Sequence, residues 1–264
     1  MTATAEARQS ELDGVLDDQR VEPQLAEELF AVVDVLDRQP ALRRALTDPG
    51  LSSEARSGLV DTLFGGRTSD TAHQVLRAAV ALRWGSGAQL ADALERQAVR
   101  AVFTVSQASG TLDGVEDELF RFGRLADADH ALRAALSDRS APLDARTQLV
   151  DDLLAGKADA ATIYLAKRAV AARGRGFEQA LDGYLAVASA QRGRALAHVV
   201  VARPLSDEQH ERLASVLAGQ LGRPVNLQVV VDPDVVGGVR VTVGDEIIDG
   251  TVSGRLEQAR RQLN

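Results

Sequence analysis

The chain has 264 residues, 45% of them apolar and 26% charged, with a formal net charge of −8 and no cysteine. That length supports two or three compact units in an ordinary globular balance, and the missing thiols exclude disulfides and thiolate metal sites. An acidic chain repels phosphate backbones and anionic lipid, which disfavours nucleic acid and direct membrane binding and favours partners with basic segments.

The charge is uneven along the chain. Residues 1–38 carry ten acids against three arginines, whereas the last 74 residues balance nine acids against nine arginines. The N-terminus, Met1 to Glu11, lacks the basic and apolar pattern of a signal peptide, and no run is long enough for a transmembrane helix. A cytoplasmic protein is expected, held at a membrane only through other chains if it works there.

A first helix is predicted at about residues 5–19, where Leu12, Val15 and Leu16 share a face. Leu25, Leu29, Val32, Val33 and Leu36 then recur at three-to-four spacing and give one apolar stripe. Leu42, Ala45 and Leu46 form a short helix ended by the breaker Asp48-Pro49-Gly50. Ser53 is the expected cap of the next helix, with Leu59, Val60 and Leu63 facing inward and Gly65-Gly66 at its end. Val75, Leu76, Ala79 and Val80 mark a further helix, and Leu90, Leu94, Ala98, Ala101 and Val102 another. Six helices over residues 1–108 predict a first helical bundle.

The following stretch repeats this one. At a constant offset of 90 and without a gap, Glu28-Leu29-Phe30 meets Glu118-Leu119-Phe120, and Leu42-Arg43 meets Leu132-Arg133. Ala45-Leu46 pairs with Ala135-Leu136, Asp48 with Asp138, Ala55-Arg56 with Ala145-Arg146, and Leu59-Val60-Asp61 with Leu149-Val150-Asp151. An ungapped register of apolar and punctuating positions is the mark of an internal duplication. It predicts helices at roughly 115–127, 130–136, 143–154, 159–173 and 177–192, forming a second bundle over 109–193. Its missing first helix is expected from the stretch around Val99–Ala108, with either a break at Ser109-Gly110 or one continuous long helix joining the copies.

From about residue 195 the period changes. Leu196 to Ala202 reads as a strand bounded by Arg203-Pro204, and Ser206-Asp207-Glu208-Gln209 fits a capping box. Leu213, Val216, Leu217 and Leu221 form that helix's stripe, and Gly222 stops it. Val225–Val231, Val239–Val243 and Glu246–Asp249 read as strands, and a last helix is expected from about Thr251 to Leu263. The fold class is therefore mainly α: two tandem helical bundles followed by a small α+β domain over 194–264.

Catalytic constellations are not apparent. Gly156-Lys157 is the nearest approach to a phosphate loop, but Asp151 stands in place of the first glycine and Ala158 follows the lysine, so a helix end is the better reading. Gly174-Arg175-Gly176 has no preceding strand and reads as a loop. His73, His130, His198 and His210 are too dispersed for a metal site. The adjacent pairs Asp17-Asp18 and Asp151-Asp152 point in different directions on a helix and make poor acid–base partners. Trp84, the only tryptophan, is expected to pack rather than to anchor a partner. No catalytic residue, cofactor site or metal site is assigned.

The segment from Val231-Asp232-Pro233-Asp234 through Gly237-Gly238-Val239-Arg240-Val241, with Gly244-Asp245 and Ile248-Asp249-Gly250-Thr251-Val252, resembles the C-terminal signature of ATP synthase delta subunits, relatives of the mitochondrial oligomycin-sensitivity-conferring protein. Ala202-Arg203-Pro204-Leu205-Ser206-Asp207-Glu208-Gln209 is similar to that family's strand-to-helix junction, and Arg173 stands where the family usually has an arginine. Thr242 and Thr251 depart from its commoner residues at outward or capping positions. The resemblance covers roughly 110–264 as one complete delta-like chain, and the duplicated front half matches the longer form of high-GC Gram-positive bacteria.

The resemblance implies a non-catalytic stator subunit, peripheral on the cytoplasmic face of the cell membrane. It implies a helical bundle that receives N-terminal segments of the alpha subunits and a C-terminal domain that meets the b-type stalk. It marks Asp232, Gly237, Gly238, Gly244, Asp245 and Asp249 as structural signature residues, with no cofactor. The alternative from another class is a helical adaptor whose C-terminal domain binds nucleic acid like a KH module; it lacks a basic groove, a Gly-x-x-Gly loop and stacking aromatics.

Overall fold

The computed structural model describes residues 3–193, 195–222, 225–232, 237–243 and 246–249. The chain divides into two compact units, one formed by residues 22–192 and the other by residues 1–21 together with 193–264.

The larger unit is all helical, and its two halves follow the duplication element by element. In the first half lie α2 (Gln24–Arg38), α3 (Pro40–Ala45), α4 (Ser53–Phe64), α5 (Asp70–Ala81) and α6 (Gly87–Ala108). The second half holds α7 (Leu112–Ala128), α8 (His130–Ser137), α9 (Leu143–Leu154), α10 (Ala160–Ala171) and α11 (Phe177–Arg192). With the 90-residue offset, the starts of α3, α4, α5 and α6 coincide with those of α8, α9, α10 and α11.

Local chemistry sets these boundaries. Pro40 at the first position of α3 ends α2 and opens the next helix, since its fixed φ suits a helix start and its missing N–H would be unpaired there anyway. Ser52, Ser69, Ser86, Asp129 and Asp159 cap α4, α5, α6, α8 and α10 through their side-chain oxygens. The cap of α4 is thus Ser52, one residue before the serine expected from sequence, because its extended backbone points the hydroxyl at Ala55 N–H. Gly66 and Gly156, equivalent in the repeat, both take a left-handed turn after their helices, at φ 69° and 71°.

The expected stripes are inside. Leu25, Leu29, Val32, Val33 and Leu36 of α2 are buried, as are Val75, Leu76, Ala79 and Val80 of α5. On α4 the inward set is narrower: Val60 is buried, but Leu63 is 37% exposed. Helix α6 buries 14 of its 22 residues, including the polar Glu95, Gln97, Arg100, Thr104 and Ser106. A helix buried on more than one face must serve more than one neighbour. Here α6 packs on α2 from its own repeat and on α11 from the next. Its C-terminal half thereby supplies the first helix that the second copy lacks, and it ends at Ala108 with Gly110 turning at φ 74°.

The smaller unit has the four-stranded sheet order β2-β1-β3-β4, formed by β1 (Ala195–Val201), β2 (Val225–Val231), β3 (Val239–Val243) and β4 (Glu246–Asp249). Strand β1 pairs parallel with β2, Ala195 opposite Val225, and antiparallel with β3, Val201 opposite Val239. The crossover between the parallel strands is α12 (Asp207–Leu221), as a parallel pair requires. Ser206 and Gln209 close its capping box, and Gly222 ends it in the left-handed conformation at φ 66°. Ala197, Val199 and Val201 pack with Leu217, Leu227 and Val241 to form the core of this unit. The helix expected after Thr251 lies outside the described residues.

Helix α1 (Ala3–Asp17) groups with this smaller unit, not with the first bundle where the sequence reading put it. It lies against β2, Leu12 and Leu16 are buried, and His210 Nδ1 stands 3.1 Å from Asp18. An apolar stripe shows that a helix is covered but carries no address for what covers it.

Candidate functional site

Three polar anchors recur in both halves of the helical unit. Glu28 accepts hydrogen bonds from Ser69 N–H and hydroxyl at 3.0 and 2.5 Å, while Glu118 accepts from Asp159 N–H and the Thr162 hydroxyl at 2.8 and 2.6 Å. Each carboxylate thereby satisfies backbone donors at a helix N-terminus, where negative charge is favoured. Asp61 binds Arg77 at 2.6 Å, and Asp151 binds Lys167 at 2.5 Å. Asp61 also meets His73 at 2.8 Å, and the hydrogen bond from that ring, followed by those of Arg77, holds its carboxyl below the ordinary range.

The third anchor is an arginine on backbone carbonyls. Arg56 is 2% exposed, and donates from Nε to Val80 at 2.7 Å, and through its terminal nitrogens to Leu51, Ala81 and Asp48 at 2.7, 3.0 and 3.3 Å. Arg146 donates to Val170, the equivalent of Val80, at 3.0 Å and to Leu136 at 3.5 Å. A cation on the last carbonyls of α5 and α10 meets both their unpaired acceptors and the negative end of the helix dipole.

The two halves are joined by an ion network with acids on the first copy and arginines on the second. Arg168 forms a two-pronged pair with Asp34 at 2.8 and 3.0 Å, and its guanidinium lies 4.3 Å from the centre of the Phe30 ring. Burial opposes the charge on Arg168, but the hydrogen bonds and field of Asp34 outweigh it and raise its pKa. Tyr164 packs edge-on to Phe30, 5.7 Å between ring centres, and burial pushes its phenol up to about 12. Arg173 stands 4.0 Å from Asp37; burial raises that carboxyl, and Arg173 and Arg43 oppose the rise. Arg175 reaches Glu95 at 2.7 Å and Asp92 at 3.9 Å, and the Tyr184 hydroxyl donates to Glu95. Burial first, then the charge of Glu95, drives the Tyr184 pKa well up.

In the smaller unit the family-like segments converge. Asp232 N–H donates to Val201 carbonyl at 2.9 Å, fastening the end of β2 to the end of β1. Gly237 and Gly238 take φ 64° and 84°, values that side-chain-bearing residues rarely adopt, and deliver Val239 to its place opposite Val201. A cleft of about 630 Å³ lies between this glycine turn and the β1–α12 junction, lined by Arg203, Pro204, Leu205 and Gln209. Asp249 sits opposite Arg240 in the β3–β4 register. Gly244 and Asp245 lie outside the described residues.

The remaining candidates have structural partners. Lys157 follows the end of α9 and donates to Leu153 carbonyl at 3.1 Å. Asp151 and Asp152 go to different neighbours, Lys167 and Gln148. Trp84 donates from Nε1 to Ala79 carbonyl at 2.7 Å. Among the described residues no three of His, Asp and Glu gather where they could hold a metal ion. Gly174-Arg175-Gly176 is a loop, as expected, and Arg175 within it bridges to Glu95 and Asp92. No local pattern announces that role, since its partners lie some eighty positions away.

These features define a scaffold class: a doubled helical unit and a small α+β unit, with polar side chains used to fix helices and turns. Comparison with known proteins gives the family. The model of the ATP synthase delta (OSCP) subunit matches residues 94–263. ATP synthase subunit delta of Streptomyces avermitilis is 46% identical over 99% of this chain and 96% of its own length. Those of Kineococcus radiotolerans and Cutibacterium acnes are 47% and 42% identical, covering 90% and 98% of this chain and 86% and 99% of theirs. A chain of the Toxoplasma gondii mitochondrial ATP synthase hexamer matches at 19% identity over 62% of this chain and 94% of its own, with a TM-score of 0.28, too low to bear on the argument. The chain belongs to the ATP synthase delta (OSCP) subunit family. It is a structural subunit of that complex and not a catalytic one.

Proposed function

We propose that this subunit is the part of the peripheral stalk that holds the catalytic head of a proton-translocating F-type ATP synthase to the b-type stalk. It does so on the cytoplasmic face of the cell membrane, so that proton-driven rotation is coupled to ATP synthesis. The observation that carries this reading is the match to ATP synthase delta subunits over nearly the whole chain, duplicated front included. The architecture suits the task. A clamp under torque needs stiff, specific contacts; the first half is tied internally by the buried Arg56, and the two halves are joined by the Asp34–Arg168 and Glu95–Arg175 pairs.

In this reading the helical part, divided functionally near residue 108, receives N-terminal segments of the alpha subunits as helices in an apolar groove. The domain from 194 onward meets the b-type chain. The signature residues Asp232, Gly237 and Gly238 shape its turn and do no chemistry; Gly244, Asp245 and Asp249 are assigned the same structural role. Purification of the tagged chain from its own membranes tests the proposal. Recovery of alpha and b-type chains is expected, and loss of the b-type chain alone on deletion of 194–264. Absence of both from the full-length preparation, or enrichment of RNA, would refute it.

A further inference from the structure

Helix α1 precedes the residues that match across the duplication and lies outside the span matched by the family model, residues 94–263. Carried back by the offset of 90, it is the counterpart of the C-terminal half of α6, which serves the second copy as its first helix. That half of α6 buries Ala98, Val99, Ala101, Val102 and Phe103. The residues at the same places in α1 are Arg8, Gln9, Glu11, Leu12 and Asp13. Polar or charged side chains thus hold every one of those positions except Leu12, and the face that would join a bundle is gone. What α1 keeps is a pair one turn apart, Leu12 and Leu16, exposed by 0% and 1%. It lies against β2. Asp18, just past the end of α1, stands 3.1 Å from Nδ1 of His210 in the first turn of α12, beside the capping box of Ser206 and Gln209. A carboxylate there meets the positive end of the α12 dipole.

We propose that α1 is a working part of the stalk-facing unit: the first 21 residues are needed for its hold on the b-type chain and are dispensable for the hold on alpha. The inference rests on the stator reading and adds which end of the chain serves which partner. Position in the chain alone would give the N-terminal helix to the head. The smaller unit has physical need of it. Strand β2 is the outer member of a parallel pair, and parallel strands are stable when both faces are covered. Among the described residues the core beneath α12 holds six buried side chains, of which Leu217 and Leu227 are the leucines. So small a core is marginal by itself, and Leu12 and Leu16 double the unit's complement of buried leucines. A loosened β2 also loosens the bond from Asp232 N–H to Val201 carbonyl, and with it the family-like turn that begins there.

The test pairs hydrogen exchange with recovery of partners, both on the full-length chain. In the double variant Leu12→Asp with Leu16→Asp, charges replace buried leucines. Amides of 197–201 and 227–231 should then exchange about a hundredfold faster while those of α2 to α6 keep their rates. From membranes the tagged double variant should recover alpha chains at the normal yield and lose the b-type chain. A milder variant guards against simple collapse of the unit. Asp18→Arg should speed exchange in 227–231 about threefold, the scale of one partly exposed pair at a helix end, and His210→Glu added to it should restore the rate. Faster exchange in α2 to α6 with the sheet unchanged overturns the proposal, as does loss of alpha with the b-type chain retained. Retention of both chains by the double variant, or absence of rescue by His210→Glu, overturns it equally. The stator reading falls if the unaltered chain recovers neither partner, whereas this proposal falls on the variants while the unaltered chain recovers both.

Discussion

Replacing Arg56 by methionine, of similar length and without donors, should be far more damaging than the same change at its repeat partner Arg146. Arg56 is 2% exposed and donates to four carbonyls, two of them at the end of α5. Each such bond to a charged donor is worth about 1.5–3 kcal/mol singly, and acceptors stranded inside incur further desolvation cost. The four are not additive, and helix-end carbonyls regain some water, so a loss of about 3–5 kcal/mol is expected for R56M. Arg146 is only half-buried and makes two bonds, one at the 3.5 Å limit, which puts R146M at about 1–2 kcal/mol. Urea unfolding followed by circular dichroism at 222 nm measures both. Equal losses, or a larger loss at Arg146, would refute the claim that the first copy's carbonyl anchor is the stronger.

Further expectations follow from the same geometry. Asp34→Asn and Arg168→Gln, combined in a double-mutant cycle, should show a coupling of about 1–2 kcal/mol, since the two-pronged pair joins the halves while partly shielded from water; additive effects would mean that the pair contributes nothing. The protein has two tyrosines, Tyr164 and Tyr184, both with pKa raised by burial, the first to about 12. A raised pKa favours the protonated fold, so their stabilisation is complete below the ordinary value of 10.0 and is lost as pH rises toward 12. Phenolate absorbance at 295 nm should therefore appear late and together with loss of helix; a free titration near pH 10 in the folded protein contradicts it. Gly238→Val forces a branched side chain to φ 84° and should lower the stability of the smaller unit by about 1–3 kcal/mol; unchanged thermal unfolding would show that the turn tolerates a side chain.

How far the sequence could be read depended on whether the signal was local. The capping box of Ser206 and Gln209, the strands 225–231 and 239–243, and helices 143–154 and 177–192 are found where the sequence put them. In each case the deciding interactions lie within a few residues. The duplication was legible because identical residues keep identical duties: Glu28 with Glu118, Arg56 with Arg146 and Asp61 with Asp151 bind equivalent groups. Periodicity could not say what covers a stripe, which is why α1 was grouped with the wrong neighbours. Nor could it separate Phe30 from Phe120, the same residue in the same local sequence, buried in one copy and exposed in the other. That difference depends on a tertiary neighbour more than a hundred residues away. Arg168 and Arg175 were equally silent, and Arg173 was marked by the family resemblance alone, because their acidic partners lie on the other copy.

The central claim is mechanical coupling, and proton pumping measures it most directly. In inverted membrane vesicles whose delta chain lacks residues 194–264, ATP hydrolysis by the head should persist while ATP-driven acidification of the lumen is lost, and the full-length chain should restore it. Pumping at the normal ratio to hydrolysis in the truncated vesicles would contradict the account.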